Sequence, residues 1–524
     1  MLKYITSSSV WAGVAIVSLI AGLAFYFGRT SGPDRAAPAT EIPVDFQRGL
    51  ETEGVAFRYS PPVPLQRLAT EWEPQRALVL SMSFPEAMAA PDIALFQVQL
   101  LAIAHHYNEI FIFCEHDHNQ AHSYFLSLID QHPEAAAILA KTHFVDSRNL
   151  MRWARDFGPI FGYDASGGLV AIDFVYRNLN RDMEEVATQN SESFRKFMTL
   201  QGDAMPVDVA VHLQQYYDLP VQIVRPPLWM DGGDIVHDGR GNVFVSTQTL
   251  IRNGGNRHSL EELFRLYFGA TKLHVMEPLP GATVNHLDMI LKFVDANTVM
   301  LPEFIPAPAE SLNRYRLNLS NQVKSVLAQN EAYLKKHLPH LKIIKVPMPP
   351  ILFMSNTEIL AEAESMFLRI VALQKGVMPG REIDQLTEVA RKDLERRMRA
   401  SIVEEIGYVD FTTIEGFNRV LKHYGQMPMD KYFDLHSESV TRYRSYINSV
   451  FLHSSNGKHG FILPRFTSQD PIESRQLSEW EQQAEAAYRV AWPQAQMHWI
   501  NCDSMVTDSG FIHCVTVTVP AALK

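Results

Sequence analysis

The stretch Gly510-Phe511-Ile512-His513-Cys514-Val515-Thr516, close to the carboxyl end of the chain, decides how the rest of the sequence is interpreted. Cys514 is one of three cysteines, and none of their spacings fits a structural zinc site or a disulfide framework. An odd number leaves at least one free thiol, which can act as a nucleophile when it ionises. The alternative interpretation of Cys514 is a buried, unreactive strand cysteine.

Three further stretches, far from Cys514 in sequence, carry side chains that a nucleophilic thiol needs. They are Trp153-Ala154-Arg155-Asp156-Phe157-Gly158-Pro159, Asp231-Gly232-Gly233-Asp234 and His286-Leu287-Asp288. The Gly-Pro turn behind Asp156 predicts that its carboxylate projects from a loop. His286 and Asp288 share one face if their stretch is extended, because alternate residues of a strand point the same way. We expect the four segments to converge in one cleft.

The composition is that of a globular protein with an acidic balance. Of 524 residues, 46% are hydrophobic and 20% are charged, and the net charge is -11. This length allows one large domain with extensions, or two domains. A nucleic-acid-binding protein needs a basic face, so we expect no nucleic-acid partner. An acidic protein suits a cationic ligand.

The N-terminal segment predicts attachment to a membrane. Val10 to Phe27 is a run without charged residues, long enough to cross a hydrocarbon core of about 30 Å. We interpret residues 1–28 as an uncleaved, single-pass membrane anchor, with a cleaved signal peptide as the alternative. Residues 29–58, rich in Pro, Gly and polar residues, are interpreted as a linker. The expected topology places the main domain outside the cytoplasm.

From about residue 60, short β-branched and aromatic runs bounded by turn residues predict paired strands, with helices between some of the pairs. The predicted strands are Ala77–Met82, Glu109–Cys114, Leu169–Tyr176, Val221–Arg225, Asn242–Thr247, Lys272–Met276, Met289–Val294, Thr298–Pro302, Lys342–Val346, Ile447–Leu452, Gly460–Pro464, Gln496–Ile500 and His513–Val519. Helices are predicted at Ser259–Tyr267 and Glu479–Val490. The repeat favours an α/β architecture that closes on itself over one doubly wound sheet.

Residues 355–437 interrupt this pattern with three stretches of helical apolar spacing. They are Thr357–Lys375, Arg381–Ile406 and Thr412–Tyr424. We interpret them as a helical insertion in a main domain that comprises residues 59–354 and 438–524. The insertion is a candidate lid over the cleft, a candidate surface for a homo-oligomer, or a membrane-facing element.

Together the four motifs resemble those of the agmatine deiminase and bacterial (Porphyromonas-type) peptidylarginine deiminase family, within the guanidine-modifying superfamily. The resemblance covers about residues 60–356 and 440–524. It implies the pentein fold, a propeller of five ββαβ units around a pseudo-fivefold axis, with the active site in the axial channel. The stretch from Ala171 to Asp182 looks more like the peptidylarginine deiminase pattern than that of agmatine deiminases.

The resemblance also implies a reaction, in which a Cys thiolate attacks a guanidinium group to give a covalent thiouronium. Water then releases a ureido product, after ammonia has left. Cys514 corresponds to the nucleophile, His286 to the general acid/base, and Asp156 and Asp288 to the carboxylates that grip the guanidinium. His513 receives no such role, because in an extended strand it points away from the side of Cys514.

Four further residues are substrate-binding candidates: Trp153, Asn448, Asp231 and Asp234. Asn448 matches a Tyr-x-Asn stretch that lines the cleft in the family, and an Asn that satisfies a turn is the equal alternative. Where the family usually has Glu-Gly-Gly, this chain has Asp231-Gly232-Gly233, one methylene shorter at the residue that orients the His.

We expect no cofactor and no metal. The run Cys114-Glu115-His116-Asp117-His118 has metal-ligand residue types, but a solvated loop that caps the next helix is the preferred interpretation. The expected substrate is the arginine side chain of a protein or peptide, with agmatine or free arginine as alternatives. An amidinotransferase and a non-catalytic, membrane-tethered guanidine-binding protein stay open as other functions.

Overall fold

The structure is a computed structural model that describes residues 62–82, 90–114, 119–147, 152–176, 205–282, 284–375, 377, 388–424, 439–506 and 510–521. The expected anchor and linker, residues 1–58, therefore lie outside the described residues, as do residues 115–118 of the cysteine-histidine run. Within the described ranges, no helix combines the length and the apolar character that crossing a membrane requires.

The strands and helices of the described residues follow in chain order. The strands are β1 Leu65–Leu68, β2 Gln75–Met82, β3 Glu109–Cys114, β4 Thr142–Asp146, β5 Ile160–Asp164, β6 Leu169–Ile172, β7 Val221–Val224, β8 Val236–His237, β9 Asn242–Ser246, β10 Lys272–Met276, β11 Lys292–Asp295, β12 Thr298–Phe304, β13 Lys342–Met348, β14 Leu352–Ser355, β15 Ser439–Arg442, β16 Val450–His453, β17 His459–Arg465, β18 Gln496–Asn501 and β19 Thr516–Pro520. The α-helices are α1 Pro91–Ala104, α2 Asn119–Ile129, α3 Ala135–Lys141, α4 Ala154–Phe157, α5 Met205–Tyr217, α6 Thr247–Arg252, α7 Arg257–Phe268, α8 Arg314–His337, α9 Asn356–Gln374, α10 Glu388–Ile406, α11 Ile414–His423, α12 Pro471–Ala491 and α13 Asp503–Val506.

One module recurs in these strands: an antiparallel pair, a helix, and a third strand parallel to the second. Its instances are β5-β6-α5-β7, β8-β9-α7-β10, β11-β12-α8-β13, β16-β17-α12-β18 and β19-β2-α1-β3. In the last of these modules, β19 pairs with β2, and Val517 lies opposite Val79. The fold is α/β, as expected, and the ββαβ connectivity is present five times among the described residues.

The helix α7 shows how local sequence forms a module. Asn256 caps it by accepting a hydrogen bond from the backbone N–H of Ser259, and Gly269 ends it with a left-handed φ of 62° that glycine adopts without strain. Leu260 and Phe264 are spaced one helical turn apart and lie in an apolar core shared with strands β6 and β9. This core packs the helix and the strands against one another, and it thereby fixes the position of the loops that connect them.

Three helices lie where helical stretches were predicted between residues 355 and 437. The two strands β14 and β15 form an antiparallel pair, and α9, α10 and α11 lie between them in sequence. Arg399 on α10 donates to both carboxylate oxygens of Glu364 on α9, at 2.6 and 3.1 Å. The α8 helix and this β14–β15 pair were not among the predicted elements.

Candidate active site

Five segments that precede the first strand of each module carry the polar side chains of the site. Asp156 precedes β5, Asp231 precedes β8, Asp288 precedes β11, Asn448 precedes β16 and Cys514 precedes β19, each by a few residues. All five are buried, with at most 5% of the residue surface exposed. The repeated module therefore explains why residues far apart in sequence come together: each module presents the same short segment.

Cys514 lies in a turn rather than in the predicted strand His513–Val519, which starts only at Thr516. The Asn448 side chain holds this turn from both ends of its amide. Its Nδ2 donates to the Cys514 Sγ at 3.3 Å, and its Oδ1 accepts from the backbone N–H of His513 at 3.2 Å. The Asp288 Oδ2 is 3.7 Å from the same sulfur. The thiol thus sits between an amide donor and a carboxylate.

His286 lies between two carboxylates. Its Nε2 is 3.2 Å from the Asp231 Oδ2, and its Nδ1 is 3.5 Å from the Asp156 Oδ1. The condition under which His286 and Asp288 would share one face, an extended stretch, is not met, because Leu287–Met289 form a 3₁₀ turn that begins after His286. The turn shortens the segment and still places the imidazole and the Asp288 carboxylate beside Cys514.

The loop that carries Asp231 packs tightly against this histidine. A Cβ on Gly233 would lie 2.5 Å from the His286 Nδ1, and one on Gly232 would lie 2.1 Å from the Arg155 backbone oxygen. Only glycine permits such an approach. The Gly-Gly pair therefore lets the shorter Asp231 side chain reach the imidazole.

Three carboxylates of the site have an oxygen that lacks a hydrogen-bond partner. These atoms are the Asp156 Oδ1, the Asp231 Oδ1 and the Asp288 Oδ1, in residues that are 5%, 0% and 3% exposed. Nearly all buried polar atoms in proteins are hydrogen-bonded. Unsatisfied oxygens on carboxylates that surround His286 and Cys514 therefore indicate the place of a ligand with N–H donors.

Burial and neighbouring carboxylates oppose the ionisation of the Cys514 thiol and of one carboxyl of the site. Burial, followed by the charges of Asp231 and Asp288, raises the pKa of Asp156 to about 8, against the opposing effect of His286. Burial and then Asp288 raise the pKa of Cys514 to about 12. Burial alone would lower the pKa of His286, but Asp156 and Asp231 raise it well above its ordinary value. At neutral pH the Cys514 thiol and one carboxyl are therefore protonated.

His513 and Glu71 belong to the site, although neither was predicted. The His513 Nδ1 is 2.7 Å from the Asp288 Oδ2, and its Nε2 is 2.6 Å from the Glu71 Oε1. Burial would raise the pKa of Glu71, but Lys292 and then His513 hold it well below its usual range. The Lys292 Nζ also donates to Glu71, at 2.7 Å. His513 thus points to Asp288 because it lies in a turn and not in a strand.

A cavity of about 80 Å³ adjoins this cluster. It is lined by charged side chains and by residues from the first strands of the modules, including Glu71, Arg155, His237, Lys292, Asp288 and His513. Glu71, Lys292 and His513, which pair with one another in the site, therefore also border this cavity.

Asp234 and Trp153, two of the predicted substrate-binding residues, make close contacts within the protein. The Asp234 carboxylate accepts hydrogen bonds from the Ser246 hydroxyl at 2.7 Å and backbone N–H at 3.1 Å, and from the Thr249 hydroxyl. These contacts use the carboxylate to anchor α6, so they oppose a direct substrate role. The Trp153 ring is buried and packs so closely on Gly510 that a Cβ there would lie 2.2 Å from it.

Among the described residues, one group brings three metal-ligand side chains together: His105, His106 and Glu134, with ligand atoms within 4.8 Å of one another. His106 and Glu134 are exposed, and none of the three belongs to the cleft described above. Of the run Cys114-Glu115-His116-Asp117-His118, only Cys114 lies within the described residues, at the end of β3.

Comparison with known proteins places this geometry in context. A proposed agmatine deiminase of Streptomyces coelicolor is 27% identical over 159 residues, which are 28% of this chain and 42% of that protein. The matches to the curated relatives each span less than half of the relative's length.

Solved structures share the fold over a longer part of the chain. The agmatine deiminase of Enterococcus faecalis aligns with a TM-score of 0.52 at 15% identity, covering 89% of this chain and 100% of that one. The C. jejuni agmatine deiminase aligns with a TM-score of 0.50 at 14% identity, covering 87% and 97%. At such identities the likeness concerns the fold alone. The model of the Porphyromonas-type peptidyl-arginine deiminase family matches residues 67–520, and the chain therefore belongs to that family.

Proposed function

We propose that this chain hydrolyses a guanidinium group to a ureido group and ammonia, with Cys514 as the nucleophile. The observation that carries the proposal is the pair of buried carboxylates, Asp156 and Asp288, each with an unsatisfied oxygen, with the other Asp288 oxygen 3.7 Å from the Cys514 thiol. A guanidinium is planar and always charged, and its N–H fork matches carboxylates on two sides. Its positive charge also favours the ionised form of Asp156, whose pKa burial raises to about 8.

The first half of the reaction begins when the guanidinium binds between the two carboxylates. Its charge stabilises the anionic forms of Asp156 and Cys514, so both protons become easier to lose. The Cys514 thiolate attacks the guanidinium carbon, and a C–S bond forms. The His286 imidazolium then gives its proton to one substrate nitrogen, the C–N bond breaks, and ammonia leaves a thiouronium behind.

The second half uses the same histidine in the opposite direction. Neutral His286 takes a proton from water as the oxygen adds to the thiouronium carbon. The C–S bond breaks, the electron pair returns to sulfur, and the ureido product leaves. Asp231, hydrogen-bonded to the His286 Nε2, stabilises the imidazolium in both halves.

The arginine side chain of a protein or peptide is the substrate we favour. Its support is the name of the family whose model matches residues 67–520. Agmatine is the second candidate, supported by the names of the curated relatives, which match shorter stretches.

A substrate screen separates these functions. Purified protein is incubated with an arginine peptide, free arginine and agmatine, and ureido product and ammonia are measured. Ureido product and ammonia in equal amounts support hydrolysis, and the fastest substrate identifies the branch. If no ureido product forms, and an amidino group is transferred only when an acceptor amine is added, the protein is an amidinotransferase. Binding of all three without turnover assigns a guanidine-binding protein.

Guanidinium binding is expected to strengthen with pH up to about 8. The ligand-free pKa of Asp156 is about 8, so below that pH the carboxyl must release a proton before it can face the cation. Each pH unit below 8 should weaken binding about tenfold. Isothermal titration of a Cys514→Ser variant with an alkylguanidine, in buffers of different ionisation enthalpy, should show release of close to one proton at pH 6–7. Affinity that does not change between pH 6 and 8 contradicts this assignment.

The closed propeller is part of the same proposal. Two observations support it. The last described strand, β19, pairs with β2 near the start of the described chain. The segment before the first strand of each module contributes a residue to one cleft. We propose that the five modules surround one axis, with the cavity beside Glu71 in the axial channel.

The membrane anchor and the location outside the cytoplasm remain proposals that rest on the apolar run Val10–Phe27. Deletion of residues 1–28 should move the protein from the membrane fraction to the soluble fraction without loss of specific activity, because residues 29–58 separate the run from the main domain. Fractionation and circular dichroism of both forms provide the check. An aggregated, unfolded truncation shows instead that the run is part of the fold.

A further inference from the structure

We infer that Arg252 is a positioning residue that commits Asp231 to His286 and so leaves Asp156 to the guanidinium of the substrate. The inference rests on the proposed function and extends it to the choice between two carboxylates that face one imidazole. Arg252 lies outside the four sequence motifs, at the last position of α6.

The contact geometry is direct. Asp231 is fully buried, and its Oδ2 accepts a hydrogen bond from the Arg252 Nη1 at 2.5 Å while it lies 3.2 Å from the His286 Nε2. A distance of 3.2 Å is at the long end for an N–H···O hydrogen bond. The shorter and charge-assisted contact with Arg252 therefore fixes where the Asp231 carboxylate stands, and the histidine meets it there.

The segment around α6 is built to deliver this guanidinium. Asp234 holds the first residues of the helix through Ser246, as described above. Beyond the helix, the Asn253 side chain accepts from the backbone N–H of Trp229 at 3.0 Å and donates to the Trp229 oxygen at 2.7 Å. Hydrogen bonds at both ends of α6 thus hold the loop that contains Asp231, and Arg252 lies between these two sets of hydrogen bonds.

The charges distinguish the two carboxylates. Burial would raise the pKa of Asp231, but Arg252, and then His286, lower it below the ordinary value. His286 and then Arg155 oppose the effect of burial on Asp156, whose pKa is nevertheless raised to about 8. Asp231 is therefore an anion with a guanidinium of its own, whereas Asp156 lacks one until substrate arrives.

This division matters because either carboxylate, if ionised and unpaired, would attract the substrate cation. A substrate guanidinium held by Asp231 would take from His286 the anion that stabilises its imidazolium. Arg252 opposes this by pairing with the Asp231 Oδ2 and compensating the charge of that carboxylate, so that the cation is directed to the side of Asp156 and Asp288. The expected consequence is a role in turnover rather than in substrate affinity.

The test compares Arg252→Gln and Arg252→Lys with a matched control, Arg465→Gln. Arg465 donates to the buried Glu481 at 3.0 Å, outside the cleft, so its loss also leaves a buried carboxylate without its partner. On the best substrate of the screen, Arg252→Gln should lower kcat about 100-fold with KM changed less than about threefold. The acid limb of its kcat profile should move to higher pH, because Asp231 without Arg252 is easier to protonate. Arg252→Lys, which keeps the charge, should restore most of kcat and the acid limb.

Several outcomes overturn the inference while leaving the proposed function intact. One is an active parent whose Arg252→Gln variant keeps the kcat and acid limb of the parent. Another is a variant that loses activity only in proportion to thermal stability, as Arg465→Gln would. If Arg252→Gln does not fold, the test rests on Arg252→Lys and on the acid limb of its kcat profile. An unshifted limb and an unchanged kcat in Arg252→Lys support a role for the positive charge. A full loss of activity in Arg252→Lys refutes that role. A parent that turns over no guanidine refutes the proposed function itself, and this inference with it.

A double-mutant cycle adds a readout that a structural role would not move. Arg252 acts through Asp231, so Asp231→Asn combined with Arg252→Gln should be no slower than Asp231→Asn alone. Rate losses that multiply show that Arg252 acts elsewhere.

Discussion

Replacing Cys514 by alanine is expected to abolish turnover, with a loss of kcat of at least about 10⁴-fold, while the protein stays folded and still binds guanidines. The substitution removes the sulfur that forms the covalent bond. It leaves Asp156 and Asp288, which bind the cation, and it removes a buried thiol whose own ionisation burial disfavours. Turnover assays, thermal melting and titration with an alkylguanidine measure the three effects.

Cys502→Ala is the matched control for this experiment. Cys502 is also fully buried, and its Sγ donates to the Ile500 backbone oxygen at 3.4 Å, outside the cleft. This variant should lose a little stability through the small cavity it leaves and keep its kcat. Substantial hydrolysis by Cys514→Ala, or loss of hydrolysis in Cys502→Ala, would remove the nucleophile assignment.

The sequence predicted the alternation of strands and helices well, because parallel strands buried on both faces appear as continuous apolar runs. Glu109–Cys114 is such a run and is β3, with neighbours on both sides in the sheet. Lys272–Met276 was predicted with the bounds of β10. The helical insertion was predicted from spacing alone, and α9 and α11 agree with it within two residues.

Errors arose where a strand begins beside the cleft. Both Met289 and His513 were predicted to be in strands, but they lie in a 3₁₀ turn and a turn that precede β11 and β19. Apolar and β-branched residues fit either conformation, so propensity could not separate the two. The consequence was functional: an extended His513 points away from the site, whereas the turn brings it onto Asp288.

Glu71 and Arg252 were missed for a different reason. Their partners are brought to them by the fold: Glu71 contacts His513, 442 residues away, and Arg252 contacts Asp231, 21 residues away. A single sequence contains no signal for such a pairing, since an acidic residue before a strand is usually solvated. The motif residues were singled out because a thiol, an imidazole and paired carboxylates are the groups that hydrolysis of a guanidinium needs, and because their motifs resemble those of the family.

Asparagine at Asp156 or at Asp288 is expected to cost most of the activity, roughly a thousandfold in kcat/KM for each. Each substitution removes one charge from a buried site that must hold a cation, and an uncompensated charge in such a site costs about 3–5 kcal/mol. Steady-state kinetics with the best substrate measure the loss. If only the binding of uncharged ligands changes, the site does not hold a guanidinium.

The two variants should differ in stability, although both are inactive. Asp156 has a folded-state pKa raised to about 8, so in the native protein at pH 7 it is mainly protonated, whereas in the unfolded chain it is ionised. Folding then takes up a proton, and the stability of the parent falls as pH rises from about 4 to about 8. Asp156→Asn has no such cost, so it should be more stable than the parent at pH 7 and equal to it near pH 4.

Asp288→Asn should behave in the opposite way. Burial would raise the pKa of Asp288, but His513 and His286 hold it below its ordinary value, so its charge contributes stability above that value and loses it in acid. The variant replaces the charge-assisted contact with His513 at 2.7 Å by a neutral one and should melt several degrees below the parent at pH 7. Melting curves at pH 4 and pH 7 for both variants therefore separate a carboxyl that is kept for the substrate from one that also supports the fold. If both variants melt alike at pH 7, the charge asymmetry of the ligand-free site is refuted.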